Sequence, residues 1–147
     1  MSGFDCVFCG RHTRTGTIYE TRGEWIEVCE AKDIALTFTV DPVLEDLKLS
    51  PGLMRTLILI AKEGVTNVVK HSGCTSARLE VGRSADGVRL VIGDNGKGFD
   101  PARPTGGNGL AGMRTRVGKA GGRLVVDSTS GAGTTLIVDL PMSHETV

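Results

Sequence analysis

The sequence predicts an α+β fold, a two-layer α/β sandwich in which a mixed, mostly antiparallel sheet carries its helices on one face. Two observations carry this expectation. Short β-branched stretches alternate with helical ones in the order strand, long helix, two strands, glycine loop, helix, hairpin, and no internal repeat or second hydrophobic stretch divides them. At 147 residues with ordinary apolar content, the chain can build one core without metal or disulfide staples.

Residues 1–18 are rich in Gly, Thr and Arg, lack periodicity and read as a leader, either disordered or non-native. Residues 19–33 follow as a linker helix whose apolar side holds Trp25, Ile26 and Cys29. The main domain is expected over 34–141, with a tail at 142–147. It opens on a strand from Ile34 to Val40, which Pro42 breaks. Ser50-Pro51 then offers an N-cap and a first-turn proline, so a long helix should run to about His71 and stop at Ser72-Gly73. Strands at Ser76–Gly82 and Val88–Asp94 flank a turn. A Gly/Pro-rich loop fills 95–108, and a helix spans Gly109–Lys119. Strands Arg123–Ser128 and Thr134–Leu140 close the domain.

Acidic and basic residues cancel, with 17 of each, and no Lys/Arg block stands out. Neither a nucleic-acid nor a membrane-surface partner has electrostatic support. The longest apolar run, Leu57 to Ala61, is too short to span a bilayer, and the first residues lack a secretory apolar segment, so the chain reads as cytoplasmic. Cys6 and Cys9 form a C-x-x-C that His12 and Cys29 could complete as a zinc site. No second ligand pair stands at a fixed offset, and free thiols in a leader are the plainer reading.

The long helix has two opposed faces. At roughly 100° per residue, with Glu63 at zero, Asn67 falls at about 40°, His71 at about 80° and Lys70 at about −20°. Met54, Ile58, Ala61, Val65 and Val68 lie around the opposite side. A solvated helix face explains many such stripes, but solvated faces favour Glu, Lys, Gln and Arg. Here Asn67 and His71 stand among β-branched Val65, Thr66, Val68 and Val69. The Asn carbonyl oxygen is a hard-cation ligand, so with Glu and Lys it suits a metal-bound polyphosphate.

Two glycine segments follow. Asp94-Asn95-Gly96-Lys97-Gly98 ends a strand in which Val88, Leu90, Ile92 and Asp94 alternate onto one face. A carboxylate aimed inward needs a strong donor, and an adenine amino group supplies one; a simple D-N-G turn is the bland alternative. Gly106 to Met113 opens a helix whose free N–H groups suit an anion, and it lacks both the P-loop and the dinucleotide-binding patterns.

In this order, Glu63-x-x-x-Asn67-x-x-Lys70-His71, D-N-G-K-G at 94–98, G-N-G-L-A-G-M at 107–113 and Gly133-Thr134 resemble the N, G1 and G2 boxes of the GHKL ATPases. E-G-V-T-N-V-V-K-H-S and G-L-A-G-M-R-T-R-V are most similar to sensor histidine kinases that work with NarL/LuxR-type response regulators. The resemblance spans about residues 22–141 and implies a Bergerat fold binding ATP and Mg²⁺. By likeness, Asn67 holds Mg²⁺ bridging the phosphates, and Glu63 orients metal-bound water or polarises the reaction. Lys70 and His71 meet phosphate oxygens. Asp94 accepts from the adenine amino group, helped by Thr134 through water. Gly96 and Gly98 make room for the base, while Gly107, Gly109 and Leu110 close over the nucleotide.

In such kinases the phosphoryl acceptor is a histidine on a dimerisation domain. Its H-[DE]-[RL] motif is missing from these 147 residues: His12 precedes Thr-Arg-Thr, His71 belongs to the N box and His144 lies in the tail. The chain is therefore expected to be an excised or stand-alone catalytic domain. The main rival is a stand-alone GHKL serine kinase of the anti-sigma-factor type, and a second is a nucleotide-binding scaffold without transfer chemistry.

Overall fold

The fold is described from a computed structural model covering residues 16–46, 49–100 and 109–142. Its elements are α1 (Gly16–Glu30), β1 (Ala35–Val40), a 3-10 turn (Pro42–Asp46), α2 (Pro51–Asn67), a π-helical turn (Val68–Ser72), β2 (Ser76–Arg83), β3 (Gly87–Asp94), α3 (Gly109–Lys119), β4 (Arg123–Ser128) and β5 (Thr134–Pro141). The expected order holds. Helix α1 starts at Gly16, inside the stretch read as leader, and the 3-10 turn after Pro42 is an addition.

The five strands form one sheet in the order β1-β2-β3-β5-β4. All neighbouring pairs are antiparallel except β1 and β2, which run parallel because α2 makes the long crossover between them. Alternation buries Phe38 and Val40, Leu79 and Val81, Leu90 and Ile92, and Val138 and Leu140 against the helices. The other face is open. There Arg89 donates to both Asp139 oxygens at 2.7 and 3.0 Å, which raises the guanidinium pKa.

The helices lock on through specific side chains. Trp25 of α1 is buried with its ring 5.8 Å from that of Phe38. Ser50 caps α2 by accepting from Leu53 N–H at 3.0 Å, with proline in the first turn. Leu53, Met54, Leu57, Ile60, Ala61 and Val65 bury the back of α2, as its periodicity predicts.

The end of α2 departs from a simple helix. From Val68 the ladder widens into one π turn, and Gly73 stops it in the left-handed conformation (φ 62°). The run Val65-Thr66-Asn67-Val68-Val69 crowds β-branched side chains, which suits a turn looser than α. Ser72 satisfies this end: its Oγ donates to Val68 O at 2.6 Å and accepts from Cys74 N–H at 3.1 Å.

Candidate functional site

A cavity of about 440 Å³ opens between the end of α2 and the ends of β3 and β5. From the helix side Gly64, Asn67, Val68, His71 and Ser72 line it. The sheet contributes Ile92, Asp94, Thr134 and Leu136, and Lys97, Gly98, Phe99 and Leu110 complete the wall. Apolar walls with a few convergent polar groups are the ordinary make-up of a small-molecule site.

At the sheet end, Asp94 and Thr134 stand directly opposite each other in the β3–β5 register, so their side chains share a face. Asp94 Oδ1 accepts from Gly96 N–H at 2.8 Å. The turn-forming role weighed for Asp94 thus occupies one oxygen, while the residue also lines the cavity. Asn95 points elsewhere. Its Oδ1 accepts from Thr75 and Ser76 N–H, both at 3.0 Å, and pins the loop to the start of β2.

The two loop glycines, expected to make room for a base, also have a packing reason to be glycine. A Cβ on Gly96 would lie 2.2 Å from Ser72 O, and Gly96 is not among the cavity-lining residues. Gly98 has φ +61° and lines the cavity, but its Cβ would lie 2.2 Å from Thr129 O. Both let backbone press on backbone, seating the loop between the π turn and the β4–β5 turn. Lys97 N–H donates to Ser72 O at 2.8 Å, and Gly131 N–H to Lys97 O at 2.5 Å, from the two sides.

At the helix end, Asn67 is half-buried, lines the cavity and makes no capping bond with its side chain. Glu63, one turn earlier, is also half-buried but lies outside the lining. Lys70 and His71, expected on one stripe, part company. Both are exposed, yet only His71 reaches the cavity. A π turn spends more residues per revolution than an α turn, so the 100° arithmetic fails beyond Asn67. Past that point His71 stays in the cavity lining with Asn67, and Lys70 does not.

Leu110 lines the cavity from the first turn of α3, which Gly109 begins; Gly107 lies outside the described residues. Ser72, Lys97 and Phe99 line it without having been singled out for a site role. Their adjacency to the two boxes was the only available signal. Among the described residues no cluster of His, Cys, Asp and Glu could hold a metal by itself. Cys29, weighed as a zinc ligand, is fully buried in the core; Cys6, Cys9 and His12 lie outside the described residues. No helix among the described residues is long and apolar enough to cross a membrane.

Residues 52–144 match the family profile described as histidine kinase-, DNA gyrase B-, and HSP90-like ATPase. The histidine-protein kinase/phosphatase DegS of Bacillus subtilis is 37% identical over 103 residues, covering 67% of this chain and 27% of DegS. UhpB of Salmonella typhimurium, a protein of the same description, is 35% identical over 101 residues, covering 69% of this chain and 20% of UhpB. The chain thus spans between a fifth and about a quarter of these relatives. Among solved structures, the catalytic domain of histidine kinase ThkA superposes with a TM-score of 0.68 at 18% identity, covering 89% of this chain and 94% of that one. The histidine kinase domain of a blue-light activated kinase from Erythrobacter litoralis gives 0.72 at 18% identity, over 99% of this chain and 66% of that one. With the profile matched over more than half of its length, and with curated relatives that are sensor histidine kinases, the chain belongs to the histidine kinase-, DNA gyrase B- and HSP90-like ATPase family.

Proposed function

We propose that this chain is the cytoplasmic, ATP-binding catalytic domain of a sensor histidine kinase, delivering the γ-phosphoryl group to a histidine on a dimerisation domain. The observation that carries this reading is one cavity lined by both Asn67 and His71 from the helix and Asp94 and Thr134 from the sheet. The purine enters the apolar sheet end, between Ile92 and Leu136, and offers its amino group to Asp94. The triphosphate lies toward Asn67 and His71, and the N-terminus of α3 closes from the third side.

The donors here suit magnesium. Asn67 lines the cavity with an amide that makes no capping bond, and Glu63 stands four residues before it on the same helix. Hard oxygen donors, few in number, match an ion that keeps most of its waters and takes the rest of its shell from phosphate. When bound, the ion supplies charge neutralisation across the phosphates. The side chains hold and orient: Asn67 fixes the phosphate geometry, Glu63 directs a water, and His71 steadies phosphate oxygens, with Lys70 nearby. Phosphoryl transfer asks a protein mainly for such positioning.

Titration with ATP, ADP and GTP, with and without Mg²⁺, tests the reading. ATP is expected to bind with Mg²⁺ dependence and GTP weakly; equal, Mg²⁺-independent binding would remove it. Because the acceptor motif is missing from these residues, incubation with γ-labelled ATP should leave the chain without sustained phosphohistidine. The downstream partner on this reading is a NarL/LuxR-type response regulator, reached through the dimerisation domain.

A further inference from the structure

Ser128, at the end of β4, is a buried hydroxyl that the site described above leaves without a role. It takes part in three close contacts. Phe99 N–H donates to its Oγ at 2.9 Å, Gly133 O lies at 3.1 Å, and Thr134 Oγ1 lies at 2.8 Å.

Counting protons orders these contacts. A serine hydroxyl has one proton and two lone pairs. The Phe99 amide can only donate, so it fills one lone pair. The Gly133 carbonyl can only accept, so it takes the proton. One lone pair remains, and the Thr134 hydroxyl fills it by donating its own proton. Thr134 Oγ1 then faces the cavity with lone pairs alone.

Its cross-strand neighbour Asp94 has Oδ1 engaged by Gly96 N–H, leaving Oδ2 for the cavity. The two cross-strand side chains at the purine end, Asp94 and Thr134, therefore present acceptors. This pair can accept from an amino group, directly or through a water, but neither Asp94 nor Thr134 has a proton to give a ring carbonyl.

We propose that Ser128 is a positioning residue that fixes the proton direction of Thr134 and thereby favours 6-amino over 6-oxo purines. This rests on the adenine reading of the cavity and deepens it. The competing role is mechanical, with Ser128 fastening the loop after β3 to the β4–β5 turn through Phe99.

Calorimetric titration of the 147-residue chain with ATP and with inosine triphosphate, which replaces the 6-amino group by a carbonyl, separates the two roles. In Ser128→Ala the Thr134 hydroxyl is free to turn and donate. ATP should weaken and inosine triphosphate should hold or gain, so that their affinity ratio falls by about 5- to 10-fold. In a Thr134→Val background, Ser128→Ala should change that ratio by less than about twofold. An equal loss for both nucleotides in Ser128→Ala overturns the inference, as does a full shift in ratio without Thr134.

Should Ser128→Ala unfold, Ser128→Cys keeps a weaker donor and acceptor and should move the ratio part of the way; no movement overturns the inference. Asp94→Asn distinguishes failure of the inference from failure of the site reading. If it leaves the ratio intact, the adenine reading falls and takes the inference with it. If it collapses the ratio while Ser128→Ala does not, the inference falls alone.

Discussion

The two ends of the cavity are built differently. The sheet end is held by a closed set of bonds: Asp94 to Gly96, Asn95 to Thr75 and Ser76, and Phe99 to Ser128, with Ser128 beside Thr134. Its polar groups project from paired strands and have little freedom. The helix end is a single π turn carrying exposed Lys70 and His71. An adenine ring is rigid and identical in every encounter, so a fixed frame recognises it well. A triphosphate changes charge, geometry and metal coordination during transfer, and longer polar side chains on a loosened turn can follow it. On the proposed reading, the contrast teaches that base selectivity and phosphate handling should respond to different substitutions.

The largest expected effect tests the helix end. Asn67→Ala removes the amide oxygen assigned to magnesium and should weaken Mg²⁺-dependent ATP binding by about 100-fold, with the Mg²⁺ dependence lost. Titration with and without the ion measures it. Unchanged binding would leave the phosphate end without its anchor and break the comparison. Next comes the sheet end. Asp94→Asn places an amide donor where the purine needs an acceptor, so ATP should lose about 10- to 100-fold and GTP far less. Equal losses for the two would mean that Asp94 supports the fold of the end rather than reading the base.

This contrast was only half visible beforehand. The strands, the Ser50 cap and the bounds of α3 follow from period-2 alternation, capping chemistry and glycine stops, all of which are local. Asp94 was reachable because it continues the inward alternation of Val88, Leu90 and Ile92. The π turn was not, since residue spacing assumes a constant advance per residue, and one i→i+5 turn breaks that from Asn67 onward. The parallel pairing of β1 with β2 depends on where α2 crosses, which is a property of the whole fold. In the sequence Ser72 reads as part of a helix stop and Ser128 as the last residue of a strand. Only tertiary packing makes them buried hydroxyls, bonded to the π turn and to the loop after β3.

A finer test sharpens the helix end. If the π turn swings Lys70 off the nucleotide stripe, then Lys70→Ala and His71→Ala should differ. Loss of His71 should weaken ATP by about 5- to 10-fold, and loss of Lys70 by about twofold or less, since an exposed charge that does not reach the cavity acts only through screened solvent. Equal losses would indicate that the nucleotide draws the turn back to α geometry and Lys70 back to the phosphates.

The smallest effect concerns the joint between the two ends. Cys74 follows Gly73, where the helix end gives way to β2, and its neighbour Cys29 comes from α1; both are buried free thiols. Burial pushes the Cys29 thiol pKa up, and the nearby Cys74 pushes it further the same way. The sign of the linkage follows. Below the unfolded thiol's value of about 8.5, both states keep the proton and stability is full. Above it the unfolded chain releases a proton that the folded chain retains, so stability falls with rising pH, by up to about 1.4 kcal/mol per pH unit, until the raised folded value is passed. Urea unfolding between pH 7 and 10 should show this decline in the wild type and a shallower one in Cys29→Ala, whatever its stability at pH 7. Identical slopes would mean that the thiol ionises as easily in the folded chain as in the unfolded one, and that the joint is open to water. A shallower slope would instead mark the thiol as shut away from water in the folded chain, where α1 packs beside the start of β2.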